Sequence, residues 1–325
     1  MVSAPLRLTG FTKTSALVYF FLSAGLFAIF CLAELRWLHW QKDAYTGATG
    51  RDPVYAGKGL VWNSPRGPGE GFLYKRAFLR ALQQVHLWSV IPAGILLPLQ
   101  FLPIVRRKYI TLHRWAGRLL FILLMIGNIT AYNLGMNAFG GMLDTRMFTL
   151  ILLVCTTLSA YKAWKGIRDH RIDIHRAWTI RCWSYVGSIL SLRVWMVILI
   201  VGIMRIAPDT FYVAISCAKM EFMFPDPVDR AAMYERHPSC FNLTTAASEK
   251  TYMGISANMK RVNLEETTAI LSLVFGLAGM IGLIMNIGFV ETYLNLTRDD
   301  DERLKKFSMA KRRKLGLEKP EGKEE

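Results

Sequence analysis

Along the chain, six stretches are apolar for about the 20 residues a helix needs to cross roughly 30 Å of hydrocarbon, and polar residues gather between them. They fall at 15–37, 84–105, 115–138, 147–165, 178–204 and 267–290. The second carries Pro92, Pro98 and Pro103, which predicts a kinked helix. In the fourth, Lys162 and Lys165 are placed to extend their charged heads to the interface. Arg193 interrupts the fifth, and no charge interrupts the sixth. The first runs through Phe20, Phe21 and Phe27 to Phe30 with no small-residue cleavage site, so it reads as a retained span and not a signal peptide. The pattern predicts an all-α polytopic membrane protein of about six transmembrane helices, centred on a four-helix bundle of two hairpins. Residues 72–85 have helical apolar spacing and predict a helix lying along the interface before the second span.

Composition agrees and charge orients the spans. Hydrophobic residues make up 52% of the 325, too apolar for an ordinary soluble domain, and the net charge is +16. The cations flank apolar runs and cover no continuous face, which argues against nucleic acid as a partner. The second and third spans are separated by Arg106, Arg107, Lys108, Arg114 and Arg118 with no acid. Between the fourth and fifth lie Arg168, Arg171, Arg176 and Arg181 against Asp169 and Asp173, and Arg303, Lys305, Lys306 and Lys311 to Lys314 follow the sixth. With six spans these segments share one side, which the positive-inside rule places in the cytosol with both termini. The expected organisation is a cytosolic N-terminus at 1–14, a membrane domain at 15–292 with outer loops at 38–83 and 207–263, and a basic cytosolic tail at 293–325. The end of that tail, from residue 311, is expected to be disordered or apposed to the membrane, where anionic lipid is a candidate partner beside the bilayer itself.

The large outer loop holds Cys217 and Cys240, whereas Cys31, Cys155 and Cys182 fall within spans, so a disulfide between the first two is expected. Asn242-Leu243-Thr244 in the same loop is an acceptor pattern for N-glycosylation.

Candidate chemistry centres on a repeated phrase. Before the third span the chain reads Ile110, Leu112, His113, Arg114, Trp115, Gly117 and Arg118; before the fifth it reads Ile172, Ile174, His175, Arg176, Trp178 and Arg181. Aligning His113 with His175 also aligns Arg106 with Arg168 and Arg114 with Arg176, so spans two-three and four-five form two related hairpins. Two histidines at equal depth can ligate one b-type haem with arginines on its propionates, can form an anion or phosphate site at helix N-termini, or can anchor helices at the interface. The haem reading lacks a second pair near the outer face, because His86 has no counterpart near Phe148. His86 and Gln100 lie fourteen residues apart on one face of the second span, and Arg193 is a costly intramembrane charge with Glu34, His86 and Asp144 as partners by depth. His86, Gln100, Asn128, Arg193 and Asn286 outline a polar seam, which inter-helix hydrogen bonding also explains. The candidate ligand-binding set is His86, Gln100, His113, Arg114, Arg118, His175, Arg176, Arg181 and Arg193. Gly276, Gly279 and Gly282 read as packing positions. No catalytic residue, metal cluster, nucleophile elbow or phosphate loop is recognisable.

The run from Leu99, Gln100 and Phe101 through His113-Arg114-Trp115 to Gly117 and Arg118, followed by His175, Arg176, Trp178, Arg181, Ser191, Arg193 and Trp195, resembles a family of multi-spanning membrane proteins of bacteria and fungi. It is catalogued as domain of unknown function 2306. The resemblance spans about 80–205 and implies a membrane fold with no settled activity. The phrase from His113 to Arg118 is also similar to one in ferric reductase and NADPH oxidase membrane domains, but the haem-ligating histidines of the following spans are missing between Leu119 and Asp169. Three functions stay open: binding or moving a small anionic or lipidic ligand, holding one haem between His113 and His175, or acting as a scaffold.

Overall fold

The computed structural model describes residues 14–35, 38, 68–259 and 263–317. The expected cytosolic segment before residue 14, the Gly- and Pro-rich part of the first outer loop at 39–67, and the end of the tail at 318–325 lie outside the described residues. Within them, five helices are long and apolar enough to cross a membrane. A sixth apolar rod joins α1 (Thr14–Phe20) and α2 (Leu26–Glu34) through a π-helical turn at Phe21–Gly25. The protein is all-α and polytopic, with a single two-stranded sheet among the described residues.

The expected interfacial helix at 72–85 is not a separate element. Glu70–Lys75 forms a 3-10 turn, and α3 (Ala77–Phe101) already contains 77–85. The reason is local: Gln83 is buried and accepts a hydrogen bond from the Tyr74 hydroxyl at 3.1 Å, so this polar residue serves the protein and not the water interface. Pro92 and Pro98 are accommodated inside α3; the chain breaks at Leu102 (ψ 120°), the residue before Pro103. Proline disfavours the α region for its predecessor, and Pro103 then opens the short α4 (Pro103–Lys108).

α5 (Ile110–Gly135) and α6 (Leu143–Arg168) follow. α7 (Ile172–Val186) and α8 (Ser188–Ile206) meet at Gly187 as one membrane-length rod. Each helix begins inside the charged motif and not after it, because arginine, histidine and tryptophan continue a helix while reaching the interface with their tips. α2 packs on α3, α3 along α5, α5 beside α6 and α6 along α7, which gives the two hairpins.

α12 (Leu264–Leu296), not a hairpin helix, is the hub. It packs on α6, α7 and α8, and 61% of its apolar window is buried, against 17–33% for the other four spans. Close approach is made possible by glycines. A Cβ on Gly279 would lie 2.6 Å from the Phe148 ring, and one on Gly276 would collide with Asp144 and Thr145 at the start of α6. Glycine at such crossings lets dispersion contacts replace the hydrophobic drive that lipid does not supply. The opposite faces carry Leu22, Ile29, Trp88, Ile122, Ile129, Leu158, Val197 and Ile284, all exposed and directed to lipid.

The two ends of the bundle differ. At one, residues 212–256 form a folded cap. β1 (Tyr212–Ser216) pairs antiparallel with β2 (Tyr252–Ser256), with Val213 opposite Ile255, and three short helices lie between them: α9 (Cys217–Met223), α10 (Pro227–Arg236) and α11 (Thr245–Lys250). Cys217 and Cys240 are joined by a disulfide, and both are fully buried with Met220, Met223 and Met233 in a core continuous with α12. Lys219 pairs with Glu70 at 2.8 Å, and Glu70 also accepts from the Phe139 amide at 2.8 Å. Arg236 holds Glu265 at 2.8 Å. At the other end α13 (Arg298–Lys314) is helical through residue 314, so the start of the segment expected to be disordered or apposed to the membrane is ordered. Its acidic first turn (Asp299 to Asp301) and basic last turn (Lys311 to Lys314) complement the helix dipole. The buried Ser308 accepts the first amide of α7, Ile172 N, at 2.9 Å, and Arg312 donates to Asp169 O at 2.6 Å. The turns at 102–109 and 169–171 and α13 therefore share one end.

Candidate functional site

His113 and His175 each occupy the fourth position of their helices, α5 and α7, which both start at the basic end. His113 is within electrostatic reach of His175, Arg106 and Arg114, and Arg106 is within reach of Arg176, Arg107, Tyr293 and Asp300. The repeated motif thus converges in space: α4 and α5 of the first hairpin meet α7 of the second, with the end of α12 and the start of α13 beside them.

The two hairpins treat the same residue types differently. In the second, three of the motif arginines have a carboxylate, and Arg168, the counterpart of Arg106, rests on the Trp164 ring at 5.4 Å. Arg171 holds Asp173 at 2.7 Å, Arg176 holds Asp301 at 3.5 Å and donates to Thr297 at 2.9 Å, and Arg181 grips Glu291 through two bonds of 2.6 and 2.7 Å. His175 Nδ1 bonds the Ala163 carbonyl at 2.9 Å, and the Lys162 ammonium lies 4.1 Å from the centre of the Trp178 ring. In the first hairpin, Arg106, Arg107, Arg114 and Arg118 have no carboxylate within 4 Å among the described residues; Arg118 rests on the Trp115 ring at 4.8 Å. His113 Nδ1 and Gln100 Nε2 are buried and have no hydrogen-bond partner among the described residues.

A shallow cleft of about 240 Å³ opens beside this cluster, lined by Arg181, Glu291, Asn295, Arg298 and Asp301 with Ala177 and Leu294. Its charges are of both signs and mostly paired. The working acids Glu291 and Asp301 were absent from the sequence-derived set. They had a signal: Glu291 is the first acid after the uncharged sixth stretch, but the positive-inside rule reads only cations.

The remaining candidates do not join the cluster. His86 lies against the Gly127 carbonyl and Thr130 Oγ1, each at 3.1 Å, which ties α3 to α5. Asn128 donates to Thr156 and Thr157 at 3.1 and 3.0 Å and ties α5 to α6. Asn286 donates to Ser191 at 2.9 Å and ties α12 to α8. Of the three partners expected for Arg193, Glu34 is the one within electrostatic reach; Asp144 instead accepts from the Leu277 amide at 3.1 Å. The expected polar seam is therefore spread over three different helix pairs.

For a haem ligated by both imidazoles, the chain offers half of the usual support. His175 has its Nδ1 on a backbone carbonyl, the orientation that metal-ligating histidines take, whereas His113 has no such anchor. No group of three or more His, Cys, Asp or Glu side chains is arranged for a metal among the described residues. Asn242 is exposed with positive φ (56°), and Thr244 two residues on caps α11.

No significant match was found among curated proteins or among solved structures. Residues 84–220, which hold both hairpins and the paired histidines at their basic end, match the family model described as predicted membrane protein, domain of unknown function 2306.

Proposed function

We propose that the basic end of the bundle binds a small anionic or lipidic ligand on its first hairpin, and that this end faces the cytosol. The observation that carries the reading is the asymmetry between hairpins: among the described residues Arg106, Arg107, Arg114 and Arg118 have no carboxylate within 4 Å, while in the second hairpin Arg171, Arg176 and Arg181 have one each and Arg168 alone of the motif has none. Cations gathered with no carboxylate in direct contact among the described residues at the start of α5 favour an anion, and the free amides of that helix terminus add to the attraction. The positive-inside rule supports the orientation, and Lys311 and Lys314, exposed on α13, would face anionic lipid at the same surface.

The test is calorimetric titration of the full chain in mild detergent with inorganic phosphate and with a short-chain phosphatidic acid. Removing two charges, in Arg106→Gln with Arg114→Gln, should weaken binding by about tenfold or more. Arg176→Gln, whose charge Asp301 already engages, should weaken it less. Equal losses in both variants, or no binding of either anion, would refute the reading. Orientation is checked by glycosidase treatment: Asn242 on the outer face should carry a glycan that disappears in Asn242→Gln. The anchored ring of His175 supports a second reading, one b-type haem between His113 and His175. Its signature is a Soret band after haem-replete expression that is lost in His175→Ala; without that band the reading falls.

A further inference from the structure

The two hairpins serve as each other's control. Shifting residue numbers by the offset that aligns His113 with His175 pairs Gln100 with Lys162 and Phe101 with Ala163. In the second hairpin both polar positions are satisfied: His175 by the Ala163 carbonyl, Lys162 by the Trp178 ring. In the first, the break at Leu102 ends α3 and the paired arrangement is lost. Gln100 is only 8% exposed and its Nε2 has no partner among the described residues; His113 Nδ1 is buried and has none among them either. Leaving a buried donor unpaired is costly, and two such atoms in one helix pair point to a group that arrives from outside the chain.

Geometry sets the two residues one helical turn apart along α5. Gln100 lies over Gly117, where a Cβ would stand 3.3 Å from its Oε1, and Gly117 is one helical turn from His113 on the same face of α5. That face continues into the buried Leu120 and Leu124. Leu112, Trp115, Leu119 and Ile122 form an exposed apolar stripe on the opposite face of α5, directed to lipid. Arg106 and Arg114 are within electrostatic reach of His113.

Resting on the anion-binding reading above, we infer that the ligand is a phosphate monoester that carries a hydroxyl or ester oxygen close to its phosphate, as a glycerol phosphate does. Its phosphate meets Arg106 and Arg114, and its hydroxyl or ester oxygen reaches Gln100 and His113. Gln100 Nε2 donates to that oxygen, and His113 Nδ1 completes its hydrogen bonding by accepting from a hydroxyl or donating to a carbonyl. A free phosphate ion fills only the outer part of this site.

The experiment compares two probes with the same twelve-carbon chain and a terminal phosphate, 1-lauroyl lysophosphatidic acid and dodecyl phosphate, which differ in the glycerol and its ester. Binding is titrated on the full chain in mild detergent, with inorganic phosphate as a third probe. The unmodified protein should prefer the lysolipid by about tenfold, the size of one hydrogen bond to an otherwise unpaired group. Gln100→Leu and His113→Phe should each bring the preference near unity and leave dodecyl phosphate affinity unchanged. Lys162→Gln, at the equivalent position of the other hairpin, should keep the preference. Gln100→Leu should melt no lower than the unmodified protein, since it removes an unpaired buried amide; if it does not fold, Gln100→Met takes its place. Equal affinity for the two amphiphiles, or a preference that survives both substitutions, would overturn the inference while anion binding stands. Failure of all three probes to bind would overturn both.

Discussion

Adding one carbon to Gly279 tests the placement of α12 at the hub. The ideal Cβ would meet Cδ1 and Cε1 of Phe148 at 2.6 Å and Cγ at 2.7 Å, where ordinary contact begins near 3.4 Å. Either α12 and α6 separate by close to that deficit or the Phe148 ring turns away, and the ring is only 2% exposed, with no space to enter. Overpacking of this kind costs about 1–3 kcal/mol. Against it stands the helix-propensity gain of glycine to alanine, about 1 kcal/mol in water. The expected net loss for Gly279→Ala is up to about 2 kcal/mol, a factor of up to about 30 in the folded-to-unfolded ratio. The same helix supplies the control: Gly288 has nothing within 4 Å of its would-be Cβ. Gly288→Ala should therefore be neutral or slightly stabilising. Melting curves of both variants in one detergent, read by size-exclusion chromatography of heated samples, decide the matter. If Gly279→Ala melts at or above Gly288→Ala, α12 does not pack against α6 through this glycine.

Two further outcomes follow from the cap. Breaking the Cys217–Cys240 disulfide, which closes a sequence separation of 23, should destabilise the cap by about 3 kcal/mol in the chain-entropy account. Limited proteolysis of Cys217→Ser should cut between residues 217 and 250 before any span is cut, and unchanged resistance would contradict the assignment. Burial pushes the His237 imidazole below its ordinary value; nearby Glu265 opposes that and Arg236 adds to it. Because the folded value is lowered, the unfolded chain binds the extra proton first as pH falls. Cap stability should then be complete above about pH 6.5 and decline as acidity passes below it. His237→Gln should flatten this dependence in proteolysis rates measured between pH 7.5 and 5.5, and an unaltered slope would exclude His237 as its source.

How much was legible beforehand differs from residue to residue. The spans, the clustering of arginines at the turns, the pairing of the two hairpins and the equivalence of His113 with His175 follow from run length, charge and repetition, because a bilayer imposes a fixed thickness and an asymmetric cost on cations. The extent of α3 differs from expectation because the apolar spacing of 72–85 fits an interfacial helix as well as the start of a span, until Tyr74 is seen to meet Gln83. Only tertiary structure shows that α12 is central. Lipid-facing and buried surfaces are equally apolar, so an uncharged stretch reads the same in either place, and glycine contacts settle which it is. Only tertiary structure, too, separates the arginines that already hold a carboxylate from those that do not. Glu291 reaches Arg181 and Asp301 reaches Arg176 across more than a hundred residues, and no local pattern encodes a partner at that distance. The sequence alone determined what the chain is dissolved in and which way its cations gather; folding decided which of those cations are left for something else to bind.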